Sequence, residues 1–332
     1  MRCMGKWQER KQFNNAWNKI YYKSHNLINN CAMSYKIEPL PNGDTLIGEG
    51  PHWDIETQSL YFVDIDVAKL LRYDYKENKT YHAVLEGEKF ASFITPVEGE
   101  KGKFAVGCDR RVVIVAWDGV SPKAKVERVA HEVQKGEEFA LNRLNDGKAD
   151  ARGRLFAGTM YNDQKDLFST RKGELYVFEK GKPVKTLKSN IGISNGLTWN
   201  EKANKFYFID STDYDVKEFD YDCETCVTCN PKVVFQHSSH LPDGMTIDAD
   251  GNIYVATFTG HTVYKIDPST AKVLLEIKFP CKQITSVAFG GPNLDILYVT
   301  TSKLNDQPPP AGSTFKVTGL GVKGLPMSKV RI

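Results

Sequence analysis

Four residues of this sequence are of types that do chemistry and stand at matching places: Glu49, Asn145, Asn195 and Asp243. Each heads a copy of one short run, in Glu49-Gly50-Pro51-His52-Trp53, Asn145-Asp146-Gly147-Lys148, Asn195-Gly196-Leu197-Thr198-Trp199 and Asp243-Gly244-Met245-Thr246-Ile247. If the four converge, the two carboxylates repel each other unless they are paired or bound to a cation. Carboxylate and carboxamide oxygens are hard donors, suited to Ca²⁺, Mg²⁺ or Mn²⁺ rather than to a soft metal. Asn-Gly and Asp-Gly are also ordinary turn dipeptides. That account covers one such pair, but covers poorly the same residue class at one position four times. Arg143 stands two residues before Asn145 and shares its face on a strand. Spacing alone leaves two roles open for it: donor to a substrate's oxygens, or ion-pair partner of a converging carboxylate.

The elements that must bring these residues together are repeats. Looser copies of the same run begin at Ala91 and Thr285, so the heads are Glu49, Ala91, Asn145, Asn195, Asp243 and Thr285, spaced by 42, 54, 50, 48 and 42 residues. A period in the forties, with strand pairs in every unit, marks a β-propeller. Each leading pair is followed by a second, such as Leu70–Tyr73 with Thr80–Ala83 and Val263–Ile266 with Val273–Ile277. Long apolar periodicity of the helical kind is missing between them. The expectation is an all-β, six-bladed β-propeller with a central metal site, one domain over residues 34–332. Tyr35-Lys36-Ile37 should join the last blade beside Ser313–Thr318, because an open ring leaves pairing edges exposed. The prolines at 308–310 cannot donate ladder bonds and predict a surface loop.

Residues 1–33 stand outside the repeats and read as a disordered extension, or as sequence upstream of a start at Met33. They carry a formal +5 against +3 for the whole chain, leaving the repeats near −2. The basic balance therefore belongs to the tail and gives no nucleic-acid surface. With no secretory apolar region and no apolar span of membrane length, the reading is cytoplasmic, with no membrane partner. Seven cysteines are scattered without a framework. The run Cys223-Glu224-Thr225-Cys226-Val227-Thr228-Cys229 lacks a second pair at zinc spacing and falls where other repeats place a hairpin turn. His237 and His240 flank the loop before Asp243 and read as loop polarity. There is no GxSxG elbow and no Walker-type or dinucleotide loop.

The sequence resembles the regucalcin (senescence marker protein) and gluconolactonase family, and within it the insect branch that includes luciferin-regenerating enzymes. The motifs that carry the resemblance are Gly48-Glu49-Gly50-Pro51-His52-Trp53, Arg143-Leu144-Asn145-Asp146-Gly147-Lys148, Ile193-Ser194-Asn195-Gly196-Leu197, Leu241-Pro242-Asp243-Gly244-Met245 and Val287-Ala288-Phe289-Gly290-Gly291. The resemblance implies one divalent cation, Ca²⁺ first with Zn²⁺, Mn²⁺ or Mg²⁺ as alternatives, held by Glu49, Asn195 and Asp243. It implies substrate contacts at Arg143 and Asn145. It implies a further contact at Asp163, where the family usually has Glu. The function expected is a metal-dependent lactonase acting on sugar lactones, with Asp243 activating or orienting water, in a monomer or weak dimer. Alternatives are a calcium-binding regulator, an esterase or phosphotriesterase using the same metal, and a WD40-type scaffold. The last is disfavoured, since Trp53-Asp54 and Trp117-Asp118 are isolated.

Overall fold

A computed structural model describes residues 34–332, so the reading of residues 1–33 lies outside the described residues. The chain opens with β1 (Lys36–Asp44). Three quartets of strands follow: β2 (Gly48–Asp54), β3 (Ser59–Asp64), β4 (Lys69–Asp74) and β5 (Lys79–Leu85); β6 (Ile94–Pro96), β7 (Lys103–Cys108), β8 (Arg111–Ala116) and β9 (Lys123–Glu132); β10 (Asn142–Ala149), β11 (Leu155–Tyr161), β12 (Gly173–Phe178) and β13 (Lys185–Ile191). Then come β14 (Ser194–Asn200), β15 (Lys205–Asp210), β16 (Asp215–Asp222) and β17 (Val227–Gln236), followed by β18 (Pro242–Ile247), β19 (Ile253–Thr257), β20 (Thr262–Asp267) and β21 (Lys272–Lys278). The last strands are β22 (Gln283–Gly290), β23 (Ile296–Ser302) and β24 (Ser313–Thr318). Helix among the described residues is confined to three-residue 3-10 turns, and none is long and apolar enough to cross a membrane.

The fold is an all-β propeller, but its sheets do not divide as six separate blades. Four sheets have four strands each, and one has eight, in the order β2-β3-β4-β5-β9-β8-β7-β6. The expectation is corrected by a short parallel pairing, Val84 with Lys123 and Leu85 with Ala124, which fuses the outer strands of two quartets. Closure follows the sequence reading: β1 pairs antiparallel with β24, Lys36 opposite Thr318 and Ile37 opposite Val317. The first strand therefore completes the sheet of the last three, and β24 is no longer an open edge.

The cores lie between quartets rather than within them. One apolar cluster joins Val63, Leu70 and Ala83 to Phe104, Val106 and Val115, across the two halves of the fused sheet. Another joins Trp53, Phe62 and Tyr73 to Tyr298 of β23, with Trp53 and Tyr298 stacked at 5.5 Å. Strands buried on both faces explain the nearly continuous apolar runs, such as Ser59–Asp64 and Ile253–Thr257, where simple alternation would have left one face polar. After β24 the chain crosses one mouth of the ring as a strap. Ala249 N–H donates to Lys323 O, Gly324 N–H to Leu294 O and Arg331 N–H to Gly153 O, while Val330 pairs with Val97. Lys329 adds ion pairs to Asp54 and Glu56, and Arg331 to Glu98.

Candidate functional site at the upper mouth

The innermost strands β2, β10, β14, β18 and β22 all start at the mouth opposite the strap, and each breaks register near its start. In β14, Ser194 faces Asp210 and Leu197 faces Phe208, so Asn195 and Gly196 together oppose one residue. The same two-against-one bulge occurs at Asn145-Asp146 in β10, Asp243-Gly244 in β18, Thr285-Ser286 in β22 and Gly50-Pro51 in β2. A bulge bends its strand and re-aims side chains. In four of the five strands it begins at the repeat position that sequence spacing singles out, and in β2 it falls one residue later.

Two of the glycines at these bulges, Gly196 and Gly244, are set by crowding. Gly196 and Gly244 are absent from the positive-φ residues, so neither forms the turn that an Asn-Gly or Asp-Gly pair suggests. A Cβ on Gly196 would lie 2.7 Å from Asp243 O, and one on Gly244 would lie 2.6 Å from Ser286 Cα. Neighbouring inner strands approach too closely for any side chain there.

A directed hydrogen-bond chain then links the heads. Arg143 Nη1 donates to Asn145 Oδ1 at 2.7 Å, and Asn145 Nδ2 donates to Asn195 Oδ1 at 2.7 Å. Asn195 Nδ2 donates to Ser211 Oγ at 2.8 Å, and Ser211 Oγ donates to the carbonyl of Pro242 at 2.6 Å, one residue before Asp243. Each amide is thereby fixed in orientation by donors and acceptors on both sides. Asn195 keeps its oxygen toward Asn145 with a second lone pair to spare.

Charge is concentrated where those amides end. Glu49, Asp146 and Asp243 are buried, together with Arg143. Burial pushes the Glu49 carboxyl up to about 8, with the Asp146 charge adding to it; the Gly50 N–H, Arg143 and Lys148 pull the other way. Burial, then Glu49 and Asp146, hold Asp243 well above the usual carboxylate range. Asp146 is also raised, by burial. Burial lowers Arg143, against the attraction of Asp66, Glu49, Asp243 and Asp109. The Glu49 carboxylate accepts only from Gly50 N–H at 2.9 Å, and Asp243 accepts no hydrogen bond among the described residues. Carboxylates so poorly served are destabilised as anions and suit a hard cation. No group of three His, Cys, Asp or Glu side chains is arranged as a ready metal cage among the described residues. A cation here would draw on the Asn195 carboxamide as well as on Glu49 and Asp243.

Of the residues expected from sequence, Arg143, Asn145 and Asn195 lie in the hydrogen-bond chain, and Glu49 and Asp243 stand in each other's electrostatic field. Asp163 is not part of that group. It sits on the rim just past β11, partly exposed, and accepts from Lys165 N–H at 3.0 Å. The rings of His237 and His240 lie against each other, tilted by 33° with centres 4.3 Å apart, and His237 Nδ1 accepts the Ser239 and His240 N–H groups, which is loop structure. The cysteine run covers the hairpin turn between β16 and β17 and the start of β17, where Cys229 pairs with Asp220; Cys223 and Cys229 are exposed and Cys226 is buried. Sequence reasoning missed Asp146, which strand alternation sends away from Asn145 but the bulge keeps buried. It also missed Lys148, whose Nζ reaches across the channel to Met245 O at 2.6 Å. Ser211 was missed as well; it lies in a 3-10 turn outside the repeat heads.

Residues 47–303 match the family described as SMP-30/Gluconolactonase/LRE-like region. A regucalcin of Danio rerio is 35% identical over 301 residues, covering 88% of this chain and 97% of its own. A solved luciferin-regenerating enzyme is 40% identical with a TM-score of 0.83, covering 90% of this chain and 100% of its own. The structure of a calcium-binding protein, regucalcin, from Agrobacterium tumefaciens is 23% identical with a TM-score of 0.77, covering 89% and 97%, and shares the fold.

Proposed function

We propose, since this chain belongs to the SMP-30/gluconolactonase/LRE-like family, that it is a divalent-cation-dependent hydrolase opening sugar lactones at the upper mouth of the ring. The observation that carries this reading is the pair of buried carboxylates, Glu49 and Asp243, left with one hydrogen bond between them in a channel of fixed amides. Glu49, Asn195 and Asp243 would hold the cation, most simply Ca²⁺ given oxygen donors alone. When bound, it would supply Lewis-acid polarisation of the lactone carbonyl. Asp243 would accept a proton from the attacking water or orient it, the lesser basicity of a cation-bound carboxylate favouring orientation. Arg143 and Asn145 would hold the substrate's oxygens, and Asp163 on the rim would contact a more distant hydroxyl. Arg143 has no ion pair among the described residues, which supports the clamp over the structural partner of a carboxylate. We take residues 34–332 as one domain, closed by the pairing of β1 with β24.

The test is hydrolysis of glucono-1,5-lactone by chelator-treated protein before and after Ca²⁺, Mn²⁺, Zn²⁺ or Mg²⁺ is restored. Activity that vanishes with chelation, returns with a cation and is lost in Glu49→Gln supports the reading. Turnover indifferent to chelation would overturn it. A calcium-binding role without catalysis is the second reading, favoured by the calcium-binding relative of the same fold. It predicts calcium uptake by the same carboxylates with no turnover of any lactone. An esterase or phosphotriesterase would want an apolar mouth, whereas Arg143, Asn145 and Asp66 make this one polar.

A further inference from the structure

Arg143 is surrounded by acids yet ion-pairs with none among the described residues. Asp66, exposed on the turn after β3, exerts the largest attraction on it. Its Nη1 instead donates to two neutral oxygens, Asn145 Oδ1 and Leu144 O, and its Nε has no partner. What lies against the guanidinium is an aromatic ring: its central carbon is 5.6 Å from the centre of Phe90. Phe90 itself is buried, in the cluster with Ile65, Ala91 and Ile94 that joins the two halves of the fused sheet. The ring is thus anchored in the core while the cation it carries faces the mouth. Lys89 Nζ lies 4.8 Å from the same ring, so the ring's π electrons already serve cations at this rim.

We infer that Phe90 is a positioning residue for Arg143: its ring holds the guanidinium off Asp66 and over the upper mouth, leaving donors for the oxygens of a polyhydroxy lactone. The inference rests on the reading of Arg143 as a substrate clamp. Two hydrogen bonds to neutral oxygens fix one edge of the guanidinium, and the ring fixes its plane. Without the ring, the guanidinium is free to tilt toward the Asp66 carboxylate, and its donors are then spent on a rim salt bridge. A cation–π contact of this kind changes an equilibrium by roughly 3- to 30-fold.

The experiment measures kcat/KM for glucono-1,5-lactone at saturating Ca²⁺, together with calcium affinity and the melting temperature, in Phe90→Leu, Phe90→Tyr, Arg143→Ala and the Phe90→Leu/Arg143→Ala pair. Phe90→Leu should lower kcat/KM roughly 3- to 30-fold at unchanged calcium affinity, and Phe90→Tyr should recover it to within about 2-fold. In the Arg143→Ala background, Phe90→Leu should cost nothing more, because the ring acts through the arginine. Adding Asp66→Asn to Phe90→Leu should return part of the loss. If Phe90→Tyr is as impaired as Phe90→Leu, or if the Phe90 and Arg143 losses multiply, the ring is only packing and the inference is overturned. Should Phe90→Leu fold poorly, Phe90→Met fills the volume without the π face and is judged by the same outcomes. An Arg143→Ala protein with undiminished turnover would overturn the clamp reading itself. Loss in Arg143→Ala with full activity in Phe90→Leu would overturn the platform alone.

Discussion

The inner strands carry acids at both ends, and the two ends treat them in opposite ways. At the strap mouth, Asp150 accepts from Arg152 and Arg154 N–H groups, from Arg154 Nε at 2.7 Å and from the Tyr221 hydroxyl. Asp248 accepts from the Asp250 and Asn252 N–H groups and pairs with Lys265 at 3.0 Å. Asp54 accepts from Thr57 twice and pairs with Lys329 at 3.2 Å. At the other mouth, Glu49 has one backbone donor, Asp146 one, and Asp243 none among the described residues. The contrast is between carboxylates that hold the ring together and carboxylates the ring holds in readiness. On the reading proposed above, a bound cation would complete the set that the ring leaves short.

The largest break in this comparison should come at the satisfied end. Asp150→Ala strands the buried Arg154 guanidinium without its partner and should cost about 3–5 kcal/mol in urea unfolding. A loss below about 1 kcal/mol would mean that the lower acids are not structural in this sense. At the unsatisfied end, Asp243→Asn should leave the melting point of the cation-free protein unchanged or higher, since it replaces a buried carboxyl that accepts no hydrogen bond among the described residues. Lactone turnover should nevertheless fall about 10²–10³-fold, equivalent to roughly 3–4 kcal/mol. A variant that melts much lower without cation would place Asp243 with the structural set.

A more gradual effect, at most about 1.4 kcal/mol between pH 6.5 and 5.5, should appear with pH through His52, which lies between the two ends. It is buried with Nε2 unpartnered, and burial lowers its pKa from 6.5 to about 3. The unfolded chain then binds a proton that the folded chain refuses, so the stability His52 contributes is complete above about 6.5 and is lost as pH falls toward 3. The slope is about 1.4 kcal/mol per pH unit. In the cation-free protein Glu49, pushed up to about 8, works the other way, losing its contribution as pH rises. The His52 part is therefore read as the difference between wild type and His52→Gln, and parallel curves from pH 4 to 7 would contradict it. The smallest effect belongs to the outer hairpin. Cys223→Ser and Cys229→Ser, both exposed, should each change stability by less than about 0.5 kcal/mol and leave turnover and cation affinity alone. Loss of either property would point to a role for the cysteine run that its place in a hairpin turn does not suggest.

Much of the architecture was legible because repetition is a sequence property. The spacing of Glu49, Asn145, Asn195, Asp243 and Thr285 marked the inner strands, and the early strand at Lys36 closing on Thr318 followed from the need to cover an edge. Types of residue at those heads also underlie the proposed chemistry, since carboxylates and carboxamides are hard oxygen donors wherever they stand. What the sequence could not state was the bulge. Alternation predicts that Asn145 and Asp146 point to opposite faces; two residues set against Gly158 alone bury Asp146 with the other acids. Nor could it show that Gly196 and Gly244 are required by neighbouring strands, or that Val84 and Leu85 fuse two quartets into one sheet. The seat of Arg143 on Phe90 belongs to the same class, because the two residues lie 53 positions apart and meet only across the ring. Periodicity along a chain is local and reads directly, whereas register, close approach and the partner of a charge depend on which strands the closed ring sets side by side.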